Sequence, residues 1–219
     1  MNLDFTQFIP SMPYILEGIL VTLKIVLMAG ILGFALGIIL SLFKISSFKI
    51  LLWIADVYTS IFRGTPLILQ LMLIYYGSPQ VIGYQIEPYT AAILSFGLNS
   101  GAYVSEIIRA GILAVDKGQK EASMALGIPY GKMMWDIILP QALKNILPAL
   151  MNEFITLTKE SAIVTTIGVM DIMRRSYQVG AENYSFFEPL LIAGFIYYLM
   201  VMTLTFLGKA LERRMRRSD

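Results

Sequence analysis

The sequence predicts an all-α membrane protein in which five transmembrane helices form a single domain over residues 1–219. Its composition is 57% hydrophobic and 15% charged, whereas soluble domains carry about 25% charged residues. Five segments are long and apolar enough to cross a hydrocarbon core, which takes roughly 20 residues. A polar insert, residues 114–136, separates the third segment from the fourth. The predicted spans are residues 16–43, 51–77, 89–113, 137–158 and 189–208.

The first three spans each contain a feature that predicts local structure. In the first, Gly33 and Gly37 have the small-residue spacing that lets a neighbouring helix approach closely, here within the subunit. In the second, the stretch Arg63-Gly64-Thr65-Pro66 predicts a break in the helix, because glycine and proline together free backbone groups that need partners. Near the end of the third, Glu106 and Arg109 lie one turn apart, so we expect them to pair with each other or to brace the insert.

The second half of the chain is more polar. The fourth span contains Lys144, Asn152 and Glu153. Residues 162–173 are apolar but too few to cross a bilayer, so we expect a half-inserted helix that faces a cavity. The fifth span leads into a basic tail, from Lys209 to Arg217, which we expect to lie against anionic lipid headgroups.

The basic residues predict the orientation of the chain. Residues 44–49, the insert and the tail contain two, three and five Lys or Arg, whereas residues 78–88 contain none. Loops rich in Lys and Arg remain in the cytoplasm. Five spans then place the N-terminus outside and the C-terminus inside.

Several classes of function are disfavoured by composition. The chain has no cysteine and no histidine, so it offers no disulfide, thiol nucleophile, imidazole base or usual zinc site. It has no G-x-x-x-x-G-K-[ST] phosphate loop, so we do not expect it to bind ATP in that manner. We expect no cofactor in this chain. A net charge of +2 without a basic stripe argues against nucleic acid as a partner.

Residues 121–140, which include most of the polar insert and the start of the fourth span, have a distinctive pattern. It begins with Glu-Ala-Ser, has glycine at position 127, and ends with Ile137 and the pair Leu139-Pro140. This pattern predicts a short helix, a turn at residues 127–129, and a second helix that re-enters the membrane near Ile137. Pro129 is expected in the first turn of that second helix, where its missing N–H costs little.

This segment resembles the EAA loop of ABC importer permeases. Glu121, Ala122, Gly127, Ile137 and the Leu139-Pro140 pair are in register with that loop, and Ser123 replaces the usual second alanine. Three other stretches resemble the branch of the family that imports polar amino acids. They are residues 63–67 with Gln70 and Leu71, residues 101–103 with Glu106 and Arg109, and residues 159–161.

The resemblance implies a type I ABC importer permease fold and a protein that is not itself an enzyme. ATP and Mg²⁺ would be bound by a separate dimeric ATPase. The EAA loop would dock in a groove on this ATPase, whose closure would drive the alternating access of the translocation path to the two sides of the membrane. The other implied partners are a second permease subunit, identical or related, an extracytoplasmic amino-acid-binding protein, and the lipid bilayer of a bacterial or archaeal plasma membrane. Glu121 would make a polar contact with the ATPase, and Gly127 would form the turn. The expected contact face comprises Ala122, Ser123, Ala125 and Leu126.

Polar residues inside the fourth span indicate the substrate. Glu153, Thr156 and Glu160 are spaced i, i+3 and i+7, so they share one helical face. A carboxylate at membrane depth is costly and is usually paired or functional. Two carboxylates and a hydroxyl suit a ligand with ammonium or guanidinium groups, so we expect a polar L-amino acid, with arginine, lysine and histidine favoured. Further candidate contacts are Asn99, Ser100 and Gln70.

Alternatives remain open at the level of sequence. Glu153 could pair with an internal cation such as Lys144 or Arg63, and Glu160 could simply be solvated. Asn99 and Ser100 could make ordinary interhelical hydrogen bonds. An ion-coupled secondary transporter is the main rival function, although such proteins usually show paired broken helices, and this sequence has one clear break. An intramembrane enzyme is a weaker rival, because no defined carboxylate pair is present to activate water.

Overall fold

The computed structural model describes residues 4–216, and this part of the chain is helical with no β-strand. A 3₁₀ turn, Thr6–Ser11, leads into the first helix. The π-helical segment Met133–Ile138 lies between α6 and α7, and the 3₁₀ segment Ser161–Ile167 follows α7. The α-helices are α1 (Met12–Ile45), α2 (Lys49–Gly64), α3 (Leu67–Ile82), α4 (Pro88–Leu113), α5 (Lys117–Ala125), α6 (Tyr130–Lys132), α7 (Leu139–Glu160), α8 (Ile172–Glu182) and α9 (Phe187–Arg216).

Helices α1 and α4 pack closely against each other at the centre of the structure. A Cβ atom built on Gly33 would lie 2.7 Å from Ser100 Cβ, and one built on Gly37 would lie 2.4 Å from Val104 Cγ1. Such distances leave no room for a side chain on α1, so the helix backbones approach through these glycines. The predicted close helix approach is confirmed, and the neighbouring helix is α4.

Three helical stretches are long and apolar enough to cross a membrane: Thr6–Ile45, Pro88–Leu113 and Phe187–Arg214. Helices α2 and α3 pass the same test together, although they meet at an angle of 102°. The fourth predicted span corresponds to α7, which is not among the helices that pass this test. It contains two asparagines and four charged side chains. By length and composition the described residues therefore supply three or four spans.

The predicted break in the second span is present between α2 and α3, and two buried amides hold it. Gln70 Nε2 donates hydrogen bonds to the carbonyls of Phe62 (2.9 Å) and Thr65 (3.1 Å). Asn99 Nδ2, from α4, donates to the same Phe62 carbonyl at 2.9 Å and to Gln70 Oε1 at 3.0 Å. Carbonyls that the break releases from the helix are thereby paired, as a membrane interior requires.

Replacing Asn99 with leucine should destabilise the fold. The substitution removes a donor to the Phe62 carbonyl and leaves the buried Gln70 Oε1 without this partner, at a cost of about 2 kcal/mol in the free energy of unfolding. Thermal unfolding of the purified protein in detergent measures the effect. Gln119→Leu, at an exposed amide on α5, is the control, and equal unfolding temperatures for the two variants would contradict the prediction.

The structure corrects the prediction for residues 162–173, which do not form one helix. The 3₁₀ segment ends at Gly168, whose φ of 84° lies in the left-handed region. A new helix, α8, starts after Asp171, whose side chain accepts a hydrogen bond from the Arg174 N–H at 2.8 Å. A helix stop and an N-cap three residues apart divide this segment.

The C-terminal helix extends beyond the predicted fifth span. Helix α9 contains residues 189–208 and continues through Lys209 to Arg216. Most of the basic tail is thus helical rather than a separate segment, and Arg217 lies outside the described residues.

Candidate functional site

The polar insert folds as the sequence predicts, into a short helix and a tight turn. Asp116 caps the start of α5, because its side chain accepts a hydrogen bond from the Gly118 N–H at 2.7 Å. At the other end Gly127 has a φ of 69°, and the N–H of Ile128 donates to the Ser123 carbonyl at 3.0 Å. The N–H of Gly127 donates to the Met124 carbonyl, also at 3.0 Å. The bonds from Gly127 and Ile128 form a Schellman motif, which favours glycine at the left-handed position. Pro129 is the N-cap of α6 and not, as predicted, a residue of its first turn.

The exposed surface of α5 and its turn contains most of the predicted coupling residues. Glu121, Ala122 and Ala125 are exposed, and 78% of the Leu126 surface is accessible. Ser123 is different: it is 2% exposed, and its hydroxyl donates to the Gln119 carbonyl at 2.6 Å. The outward face of the loop therefore excludes Ser123, which packs inward.

Large apolar side chains extend this outward surface on both sides of the turn. Met124 and Tyr130 are more than half exposed, and Trp135 is 73% exposed on the π-helical segment. Pro140 lacks the N–H that an α-helix would direct to the Asp136 carbonyl, which is consistent with the wider π-helical turn here. Exposed apolar groups grouped on a polar segment are typical of a protein-binding surface.

A second candidate region is an apolar groove of about 340 Å³ between α1, α4, α7 and α9. Ser100 and Glu153 are the polar residues of its wall. Ser100 is contributed by α4 and Glu153 by α7, so the two polar side chains come to the groove from different helices. The remaining lining residues are Leu27, Gly30, Ile31, Phe34, Val104, Leu147, Leu150, Met151, Phe154, Leu157 and Leu211.

The structure separates the predicted substrate residues into two groups. Ser100 and Glu153 meet in the groove, and α7 places Thr156, half-buried, and Glu160, exposed, on the same helical face as Glu153. Asn99 and Gln70 instead lie together at the break between α2 and α3, where hydrogen bonds to backbone carbonyls occupy their amides.

A cluster of ionic side chains lies near the insert, and sequence reasoning identified only part of it. The predicted pair of Glu106 and Arg109 is confirmed, with Oε2 and Nη2 2.8 Å apart. Lys44 Nζ also binds the Glu106 carboxylate and donates to Thr59 Oγ1 at 2.9 Å. No local pattern could reveal Lys44 as a partner, because it precedes Glu106 by 62 positions.

Comparison with known proteins identifies the family of this chain. Residues 33–217 match the family model described as "Binding-protein-dependent transport system inner membrane component". The chain is 64% identical to the arginine transport system permease protein ArtQ of Bacillus subtilis, over the full length of both proteins. It is 51% identical to a putative glutamine transport system permease protein GlnP of Rickettsia felis, over 95% of this chain and 96% of the relative.

Solved structures support the same assignment. The structure superposes on a crystal structure of an amino acid ABC transporter with histidines at a TM-score of 0.94 and 44% identity, covering 98% of this chain and 100% of the other. A chain of the inward-facing methionine transporter MetNI matches with a TM-score of 0.79 and 22% identity, over 94% of this chain and 98% of the other, and shows the shared fold alone. The fold is that of type I ABC importer permeases. This chain belongs to the family of binding-protein-dependent transport system inner membrane components.

Proposed function

We propose that this chain is the membrane subunit of an ATP-driven importer of basic L-amino acids, and that it forms the translocation path. The observation that carries the proposal is the Glu153 carboxylate, which lies with Ser100 in an otherwise apolar groove. The name of the Bacillus subtilis relative, an arginine transport system permease, agrees with this chemistry.

The groove suits a ligand that combines aliphatic and cationic parts. Its apolar wall would pack against the methylene groups of arginine or lysine, and the Glu153 carboxylate would bind the guanidinium or ammonium group. A volume of about 340 Å³ is within the usual range of small-ligand sites. We assign Glu153 and Ser100 to direct contact with the substrate, and Thr156 and Glu160 to the continuation of the path. Gln70 and Asn99 would shape the path through the helix break.

The polar insert, residues 114–136, which we call the coupling loop, would connect this path to a separate ATPase. Leu126 and the neighbouring exposed side chains would enter a groove on the ATPase, and Glu121 would add a polar contact. ATP with Mg²⁺ would be bound and hydrolysed by that partner, and its closure would bring two copies of the loop together. The path would then open towards an extracytoplasmic binding protein. The path would have two states, one open outward and one open inward. For this coupling to operate, the ATPase at one end and the binding protein at the other must both shift the equilibrium between these states.

We infer five membrane spans in one domain, with the N-terminus outside and the C-terminus in the cytoplasm of a bacterial or archaeal plasma membrane. Helix α7 would be the fourth span despite its polar residues, because a second permease subunit, identical or related, and the path itself would shield it from lipid. Exposed Asn145, Asn152 and Lys159 follow one another at intervals of seven residues on α7, and such a polar stripe is unfavourable against lipid.

Reconstitution tests the proposed energy source. Proteoliposomes containing the chain, its ATPase and its binding protein should take up L-arginine only when ATP is supplied to the ATPase. An ion-coupled transporter would instead take up L-arginine in response to an ion gradient, without the ATPase. That result would contradict the proposal.

Replacing Glu153 with glutamine should abolish selectivity for cationic substrates. The variant keeps the shape of the side chain and removes its charge, so we expect stimulation of ATP hydrolysis by L-arginine to fall about tenfold or more, which corresponds to one charge-assisted contact. Stimulation by L-glutamine, where the binding protein delivers it, should change much less. Glu182→Gln, an exposed residue at the end of α8, is the control. Unchanged L-arginine stimulation in Glu153→Gln would remove the basis for this substrate.

A further inference from the structure

Glu106 lies at the centre of an ionic cluster that joins three helices. Its carboxylate binds Lys44 Nζ from the end of α1 and Arg109 Nη2 at 2.8 Å within α4. Arg63 Nη1, from the end of α2, lies 3.8 Å away. Asp56 adds a second carboxylate, 3.5 Å from Lys44 Nζ. The side chains of Lys44 and Glu106 are 3% and 19% exposed, so solvent screens their interaction poorly.

One side of this cluster faces the coupling loop. Lys44 and Arg109 line a cavity of about 650 Å³, whose wall also includes Lys120, Glu121 and Met124 from α5. Movement of α5 against the membrane helices would therefore change the surroundings of two of the three cations that bind Glu106.

The other side of the cluster reaches the break between α2 and α3. Arg63 is next to Gly64 at the end of α2, and its guanidinium carbon lies 5.3 Å from the centre of the Tyr103 ring, a cation–π contact. Asn99, Tyr103 and Glu106 follow each other at intervals of four and three residues on α4, so they form one face. This face binds the end of α2 by a hydrogen bond, an aromatic ring and a charge.

We propose that Glu106 is the positioning residue through which the coupling loop acts on the break between α2 and α3. The inference rests on the proposed function and adds to it a physical route within this chain. Because a single carboxylate is shared by three cations from two sides, displacement of Lys44 or Arg109 changes how strongly Arg63 is held. Two arrangements of the cluster would then accompany the two states of the path.

The test is the ratio of stimulated to basal ATP hydrolysis in the reconstituted complex of permease, ATPase and binding protein loaded with L-arginine. In Glu106→Gln we expect this ratio to fall by roughly fivefold, within the usual range of coupling between sites. The ATPase should still copurify with the variant, and the basal rate should be retained. Glu87→Gln, the same change at the exposed opposite end of α4, is the matched control and should leave the ratio unchanged.

A second variant keeps the proposal testable if Glu106→Gln does not assemble. Arg63→Gln removes a side chain that is 45% exposed, so folding should tolerate it, and we expect the ratio to fall by about twofold. If Arg63→Gln leaves the ratio of stimulated to basal ATP hydrolysis unchanged, the inference is overturned. The same holds if Glu106→Gln lowers the unfolding temperature but leaves that ratio unchanged, because the cluster would then only stabilise the fold. A wild-type complex that L-arginine does not stimulate would instead overturn the proposed function.

Discussion

Replacing Gly127 with valine is expected to uncouple the permease from its ATPase. Gly127 has a φ of 69°, a conformation that costs an L-residue about 1–2 kcal/mol and a β-branched residue more. The strain would open the Schellman motif, in which the N–H groups of Gly127 and Ile128 donate to the Met124 and Ser123 carbonyls at 3.0 Å. Leu126 precedes this turn directly, so its exposed side chain would lose its fixed direction.

The measurement is L-arginine-stimulated ATP hydrolysis together with copurification of the ATPase. We expect Gly127→Val to reduce stimulation by roughly tenfold or more. The turn positions the exposed Leu126 side chain, and a displaced Leu126 would lose several favourable contacts with the ATPase together. Gly131→Val is the matched control. Gly131 belongs to the same loop, has no positive φ, and has no atom within 4 Å of a built Cβ. Equal stimulation in the two variants would show that the turn does not position the coupling surface.

Features that depend on local backbone chemistry could be predicted from the sequence. The Gly64–Pro66 stretch predicts a break in the helix, because proline cannot continue the hydrogen bonds of a helix, and the structure shows α2 and α3 meeting there at 102°. The position of Gly127 between two short amphipathic stretches predicts the turn of the coupling loop in the same way. In both cases the residues that determine the conformation are within a few positions of it.

Features that depend on contacts between distant segments were less accessible. Gln70 and Asn99 are polar residues in apolar spans, so the sequence indicates that their amides have a role. It cannot distinguish contact with a ligand from pairing with the Phe62 carbonyl, because Phe62 precedes Asn99 by 37 positions. The inward direction of Ser123 depends similarly on how α5 packs. For Lys44, even the existence of a partner was not evident, because a lysine after a long apolar helix is the ordinary mark of a membrane boundary.

Replacing Gly18 with alanine should destabilise the protein strongly, although only one methyl group is added. A Cβ atom on Gly18 would lie 2.6 Å from the N atom and 2.7 Å from the Cα atom of Ile172, at the start of α8. These are backbone atoms, so no side-chain rotation can relieve the overlap. Either α1 or α8 must move, and overpacking of this kind costs about 1–3 kcal/mol or more.

The surroundings of α8 make such a movement costly. Asp171 is buried, caps α8, and accepts a hydrogen bond from the Tyr197 hydroxyl at 2.9 Å. Arg175 Nη1 donates to the Tyr14 carbonyl at 2.9 Å and to Glu17 Oε2 at 2.8 Å, so it ties α8 to α1 beside Gly18. Moving the helices apart would strain bonds on both α1 and α9, and the cost should therefore approach the upper end of the range for overpacked sites.

Gly30→Ala provides a matched control for this prediction. Gly30 is also on α1, and its built Cβ would make ordinary contacts of 3.5 Å with the Phe154 ring. Since alanine favours the helix by about 1 kcal/mol over glycine, Gly30→Ala should leave the unfolding temperature unchanged or raise it. Gly18→Ala should lower that temperature by roughly 5 °C or more in detergent. If the two substitutions shift it equally, the close approach of α1 and α8 is not a constraint on stability, because the same gain in helix propensity would then account for both.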